Sequence, residues 1–219
     1  MKIYHYTKGI SMNSIFTDGF IATERKRGLS KISLLTDCVW LTEKTQFPKT
    51  ALPSISCMPE TNLLLHRNKM IYVDLDKLSK FTGGIYRFSF NSDDKRFVKW
   101  RFSEARKAVE NNVVWRRMES VANKVGDDVR SFWISPNDVA LENFSLEIFA
   151  GDWITLISNC SVSDADLETL MLIYSLMESS KSKCIELGFP FHQVQSPKIS
   201  ESEAFLIMLK KMLGQTVSI

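Results

Sequence analysis

The order of strand-like and helix-like segments is what most constrains the fold of this chain. Residues 2–7 (KIYHYT) alternate aromatic and polar side chains, the period-two signature of a strand. A short helix carrying Ile15 and Phe16 follows, opening at Ser11 or Asn13. Gly19 is placed to end it, because glycine enters the left-handed conformation without penalty. Phe20–Thr23 is extended again. Aromatic and β-branched content predicts further strands at Val39–Thr42, Met70–Leu75, Gly84–Phe90, Arg130–Ser135, Phe144–Phe149 and Asp152–Leu156. A helical stretch opens at Ser103-Glu104, is interrupted at Asn111-Asn112 and closes at Gly126. Strands and helices do not alternate one for one, which argues against a doubly wound parallel sheet; an α+β fold is expected.

The composition changes after residue 156. Ser163-Asp164-Ala165-Asp166 is a capping pattern for a helix running to about Ser182. Ser200-Glu201-Ser202-Glu203 fits a capping box, and the segment after it carries Phe205, Leu206, Met208, Leu209, Met212 and Leu213 on one face before Gly214. The expected division is an α+β core over 1–156 and a helical C-terminal extension over 157–219, packed on the core or on a partner.

With 219 residues, 44% of them hydrophobic, the chain can bury a core without a disulfide or metal staple. Lys and Arg number 28 against 25 Asp and Glu, a net charge of +3 that does not by itself argue for nucleic acid. The opening MKIYHYTKG lacks the apolar run of a signal peptide, and no apolar stretch reaches a membrane span. The four cysteines form no C-x-x-C pair and have no histidine at zinc-ligand spacing. Free thiols in the cytoplasm are expected, with no metal and no membrane contact. No Rossmann fingerprint, P-loop, nucleophile elbow or H-E-x-x-H motif is present.

Three short pieces carry chemistry: Tyr4-His5-Tyr6-Thr7, the Ile15–Phe20 turn and Val39-Trp40-Leu41-Thr42. A histidine and a hydroxyl two positions apart on a strand share one face, where they can grip an amide or a ribose. Tyr4, Tyr6 and Trp40 can stack on a flat ring, although alternation turns some of them to the core. Arg87 can meet a pyrophosphate, since a guanidinium pairs bidentately with phosphate. Lys99-Trp100-Arg101 and Trp115-Arg116-Arg117 interleave aromatic and basic residues in the manner of single-strand nucleic-acid binders, while Glu119 nearby favours a solvated face. The basic run of residues 24–31 reads as a solvated loop.

The three pieces, in this order, resemble the opening of the ADP-ribosyltransferase superfamily. The likeness is to members with an H-x-T opening, such as the DNA-targeting toxins, and to a group of small bacterial and phage proteins. The latter share an H-Y-T opening, a turn with glycine, a V-W-L/F-[ST] strand and a late W-Y-x-S-x-E-P segment. The late segment corresponds here to Phe132–Asp138 (FWISPND). The resemblance covers about residues 3–156 and leaves the tail outside. It implies a mixed or antiparallel sheet core and NAD as substrate. It also implies that His5 and Thr7 hold the nicotinamide amide and ribose, with Tyr6, Trp40, Thr42 and Arg87 as further binding candidates.

One position departs from the pattern. Asn137 stands where a carboxylate is expected, and an amide cannot stabilise the cation left by departing nicotinamide. Glu142 and Glu147 are the candidate catalytic substitutes. Two functions therefore stand side by side. The chain is a mono-ADP-ribosyltransferase acting on a protein or nucleic acid, or a non-catalytic anti-defence or antitoxin-type protein that binds a host partner on the same scaffold. Either would work in the cytoplasm, the host's own if the gene belongs to a phage.

Overall fold

The opening alternation is realised as β1 (Lys2–Lys8), which leads through a 3-10 turn at Gly9–Ser11 into α1 (Met12–Asp18). Gly19 ends that helix at φ 73°, and its N–H returns to the Ile15 carbonyl at 3.0 Å. This is a computed structural model, and it describes residues 1–23, 38–51, 75–101, 105 and 112–187. After β2 (Phe20–Ile21) come β3 (Val39–Thr42), α2 (Leu75–Thr82), β4 (Ile85–Asn91) and β5 (Val98–Lys99). Then follow α3 (Asn112–Val125), β6 (Phe132–Ser135), β7 (Val139–Ala140), β8 (Phe144–Phe149), β9 (Trp153–Cys160) and α4 (Leu167–Glu186).

Among the described residues, seven strands form one sheet in the order β5-β6-β3-β1-β4-β8-β9, with every adjacent pair antiparallel. β2 and β7 form a separate two-stranded ribbon. The fold is α+β with an antiparallel sheet. Period-two alternation gives the sheet two apolar faces. Ile3, Leu41, Phe88, Phe90 and Leu146 pack on one side with Met12, Ile15 and Phe16 of α1 and Ile173 of α4. On the other side Trp100, Phe132 and Ile134 pack with Ala122 of α3, and Ile85 packs with Leu78 of α2.

Several boundaries differ from expectation. Leu75 begins a helix instead of closing a strand, and the remainder of the 70–75 segment lies outside the described residues. The strand expected from Arg130 begins at Phe132, because Asp128 accepts the Arg130 N–H and winds Val129–Ser131 into a 3-10 turn. The last strand passes residue 156 and runs to Cys160. The helix after it sends Ile173 into the same core as Ile3, so the division at 156 falls inside a strand. The basic run at 24–31, the start at Ser103-Glu104 and the apolar stripe at 205–213 lie outside the described residues.

The edge strand β9 is irregular. Its register with β8 shifts twice, and Asn143 and Asn159 adopt φ 50° and 43°. Ser161 Oγ accepts the Asn143 N–H and Ser145 Oγ accepts the Asn159 N–H, each at 3.0 Å, so hydroxyls hold both bends. Such bulges twist an edge away from further pairing.

Asp166 is the N-cap of α4 and accepts the Thr169 N–H at 2.8 Å. Asp166→Ala is expected to lower the unfolding free energy by about 1 kcal/mol, the usual worth of such a cap. Chemical denaturation measures it, and an unchanged midpoint would show the cap to be inert.

Candidate functional site

The pleat of β1 sends Ile3, His5 and Thr7 to one face of the sheet and Tyr4 and Tyr6 to the other. His5 and Thr7 lie on the face covered by α1, opposite Phe88 and Tyr86 of β4. They are only 9% and 7% exposed. His5 Nδ1 is 2.9 Å from the Trp40 carbonyl. A carbonyl only accepts, so Nδ1 carries the hydrogen. Ser135 pairs with Val39 and falls on the same face, where its hydroxyl donates to the Asn137 carbonyl at 2.8 Å and closes the turn after β6. The opening strand and the late FWISPND segment thus meet on one surface through β3.

The other binding candidates face away from His5. Trp40 packs with Trp100 and Phe132, ring centroids 4.7 and 6.1 Å apart, in the apolar layer under α3. Thr42 is buried, with its hydroxyl 3.1 Å from Ser131 Oγ, and it also accepts the Lys44 N–H. Tyr6, Arg87 and Glu147 form a cross-strand row over β1, β4 and β8. Arg87 Nε donates to Glu147 Oε2 at 2.5 Å and Nη1 to the Thr45 carbonyl at 2.6 Å. The guanidinium lies between the rings of Tyr4 and Trp153, 4.3 and 4.2 Å from their centroids. Nε, Nη1 and both ring-facing sides of the guanidinium are therefore engaged within the fold.

The Tyr6 hydroxyl donates to the Lys44 carbonyl at 2.7 Å. Burial pushes its pKa from 10.0 up to about 12, against the pull of Arg87. The unfolded chain therefore releases this proton first as pH rises. The stabilising contribution is complete below pH 10 and is lost between pH 10 and about 12. Tyr6→Phe is expected to flatten part of the fall in urea midpoint between pH 10 and about 12; equal slopes for both proteins would contradict the assignment.

Of the two candidate acids, Glu147 is turned away from His5. Glu147 is ion-paired with Arg87 on the opposite face. Glu142 is exposed in the turn between β7 and β8, and its carbonyl accepts Arg96 Nη2 at 3.1 Å.

A cluster missed by the sequence reading does lie on the His5 face. Leu41 pairs with Trp133, and Trp133 pairs with Lys99. Glu43 Oε1 accepts both Lys99 Nζ at 2.6 Å and Trp133 Nε1 at 2.8 Å. Burial would raise the Glu43 pKa, but the hydrogen bonds from Lys99 and Trp133 and the Lys99 charge outweigh it and hold the carboxyl below its usual range. Glu43 is 56 positions from Lys99 and 90 from Trp133 in sequence, so only strand pairing reveals the group.

On the opposite side of the sheet, α3 carries an open depression of about 500 Å³ lined by Arg116, Glu119, Ser120, Asn123 and Lys124. Among the described residues no group of three or more His, Cys, Asp or Glu could hold a metal, and no helix is long and apolar enough to cross a membrane. No family model matches the chain, and neither a curated protein nor a solved structure is significantly similar to it.

Proposed function

We propose that the chain binds NAD or its ADP-ribosyl part on the sheet face of His5 and Thr7, without transferring the ADP-ribosyl group. The observation that carries this reading is the register. Pairing brings His5, Thr7 and Ser135 to one surface, and it turns Glu147 to the other. Transfer requires negative charge beside the ribosyl cation as nicotinamide departs. Asn137 supplies none, the Glu147 charge is matched by Arg87, and that of Glu43 by Lys99. A protein of this kind suits an anti-defence role, sequestering an ADP-ribosyl group or a host protein that carries one. Because His5 and Thr7 are buried, a ligand must open the face to reach them, and the cost lowers apparent affinity by the open fraction.

Calorimetric titration with NAD and ADP-ribose tests the reading. Loss of one hydrogen-bonding side chain costs about 1 kcal/mol or somewhat more, so His5→Ala and Thr7→Val should each weaken binding about tenfold. Circular dichroism of each variant checks that it is folded. Absence of binding by the wild type rejects the proposal. Release of nicotinamide from labelled NAD overturns its non-catalytic half and returns the chain to the transferases.

A further inference from the structure

We infer that Trp133 and Lys99, tied together by Glu43, form the base-and-phosphate end of this site and take the heteroaromatic ring and a phosphate of an adenine nucleotide. The inference rests on the reading above and assigns the part of the ligand that His5 and Thr7 leave unaccounted for.

The row runs from β1 through β3 and β6 to β5 on one face. Neighbouring strands lie about 4.8 Å apart, so Lys99 stands about 14 Å across the sheet from His5, a distance on the scale of a nucleotide. Trp133 is half-buried, with part of its ring packed on the main core. Its N–H is held by Glu43 at 2.8 Å, so packing and a charge-assisted hydrogen bond together set the plane of the indole. A ring held this way loses little freedom when a base stacks on it. Lys99 Nζ lies 5.5 Å from the ring centroid, and its side chain is 30% exposed. An ammonium on a flexible stem can leave a carboxylate for a phosphate without moving the backbone. Glu43 would keep its bond to Trp133 during that exchange, so the ring stays oriented. An ion pair this exposed adds little to folding. Aromatic and cationic groups side by side form a recurrent platform for bases and their phosphates.

The test titrates the full chain with ADP-ribose and with AMP, following heat, at two salt concentrations. Lys99→Gln is expected to weaken both ligands about tenfold, equivalent to 1.4 kcal/mol, and to remove most of the salt dependence. Trp133→Leu is expected to weaken both ligands with the salt dependence intact. Trp133→Phe keeps a ring but loses the bond to Glu43, so it should bind better than Trp133→Leu and weaker than the wild type, which separates loss of stacking from loss of fold. If wild type binds ADP-ribose and His5→Ala weakens it while Lys99→Gln and Trp133→Leu match the wild type, this inference is overturned and the proposed function stands. If wild type binds neither ligand, both fall.

Discussion

Arg87→Ala is expected to lower the unfolding free energy by about 3–5 kcal/mol, the cost of leaving one partner of a buried ion pair behind. The side chains of Arg87 and Glu147 are 6% and 12% exposed, so water cannot replace the lost guanidinium easily. The variant would strand the Glu147 carboxylate, leave the Thr45 carbonyl without that donor, and open the space between Tyr4 and Trp153. Replacing both partners, Arg87→Met with Glu147→Leu, should recover much of the loss, because the apolar pair strands no charge. Urea denaturation of the three proteins measures this. A loss below about 1 kcal/mol for Arg87→Ala would mean that the pair behaves as an exposed one. The same experiment bears on function. Glu147 is a catalytic candidate in the sequence, and a fourth protein, Glu147→Gln, that loses stability and still binds ADP-ribose when folded marks it as part of the scaffold.

The second large effect is expected at Gly9. A Cβ there would lie 2.1 Å from the Gly83 carbonyl oxygen, 2.4 Å from its carbon and 2.8 Å from the Thr82 oxygen. All three are backbone atoms of the turn between α2 and β4, and the Gly9 N–H already donates to the Gly84 carbonyl at 2.8 Å. Neither segment can yield without separating the end of β1 from that turn. Gly9→Ala should therefore cost about 3 kcal/mol or more, at or above the upper end for overpacking. Gly19 is the control. A Cβ there meets nothing within 4 Å, and only the positive φ of 73° resists substitution. Gly19→Ala should cost about 1–2 kcal/mol, the left-handed penalty alone. Equal losses at the two positions would show that the close approach does not constrain the fold.

Local periodicity and turn chemistry are legible without a structure. The alternation at 2–7 is β1, Gly19 ends α1, and Gly126 follows α3 with φ 80°. Aromatic content correctly marked β4 and β8. Misplaced boundaries arose where a side chain or a bulge redirected the backbone. Asp128 wound residues 129–131 into a turn, and β9, bulged against β8, stays paired as far as Cys160, beyond its hydrophobic run.

What the sequence determined by itself was the side of the strand on which each residue of β1 stands, since alternation is a property of the backbone and needs no partner. That already separated His5 and Thr7 from Tyr6. Only the tertiary structure decided which strands lie beside β1. Pairing with β4 and β8 matched Arg87 to Glu147 across the sheet and took both from the candidate nucleotide machinery. Pairing of β3 with β6, and of β6 with β5, assembled Glu43, Trp133 and Lys99 on the His5 face. The physical reason is that strand neighbours are chosen by burial of whole faces, summed over residues far apart in the chain, and no local window contains that sum.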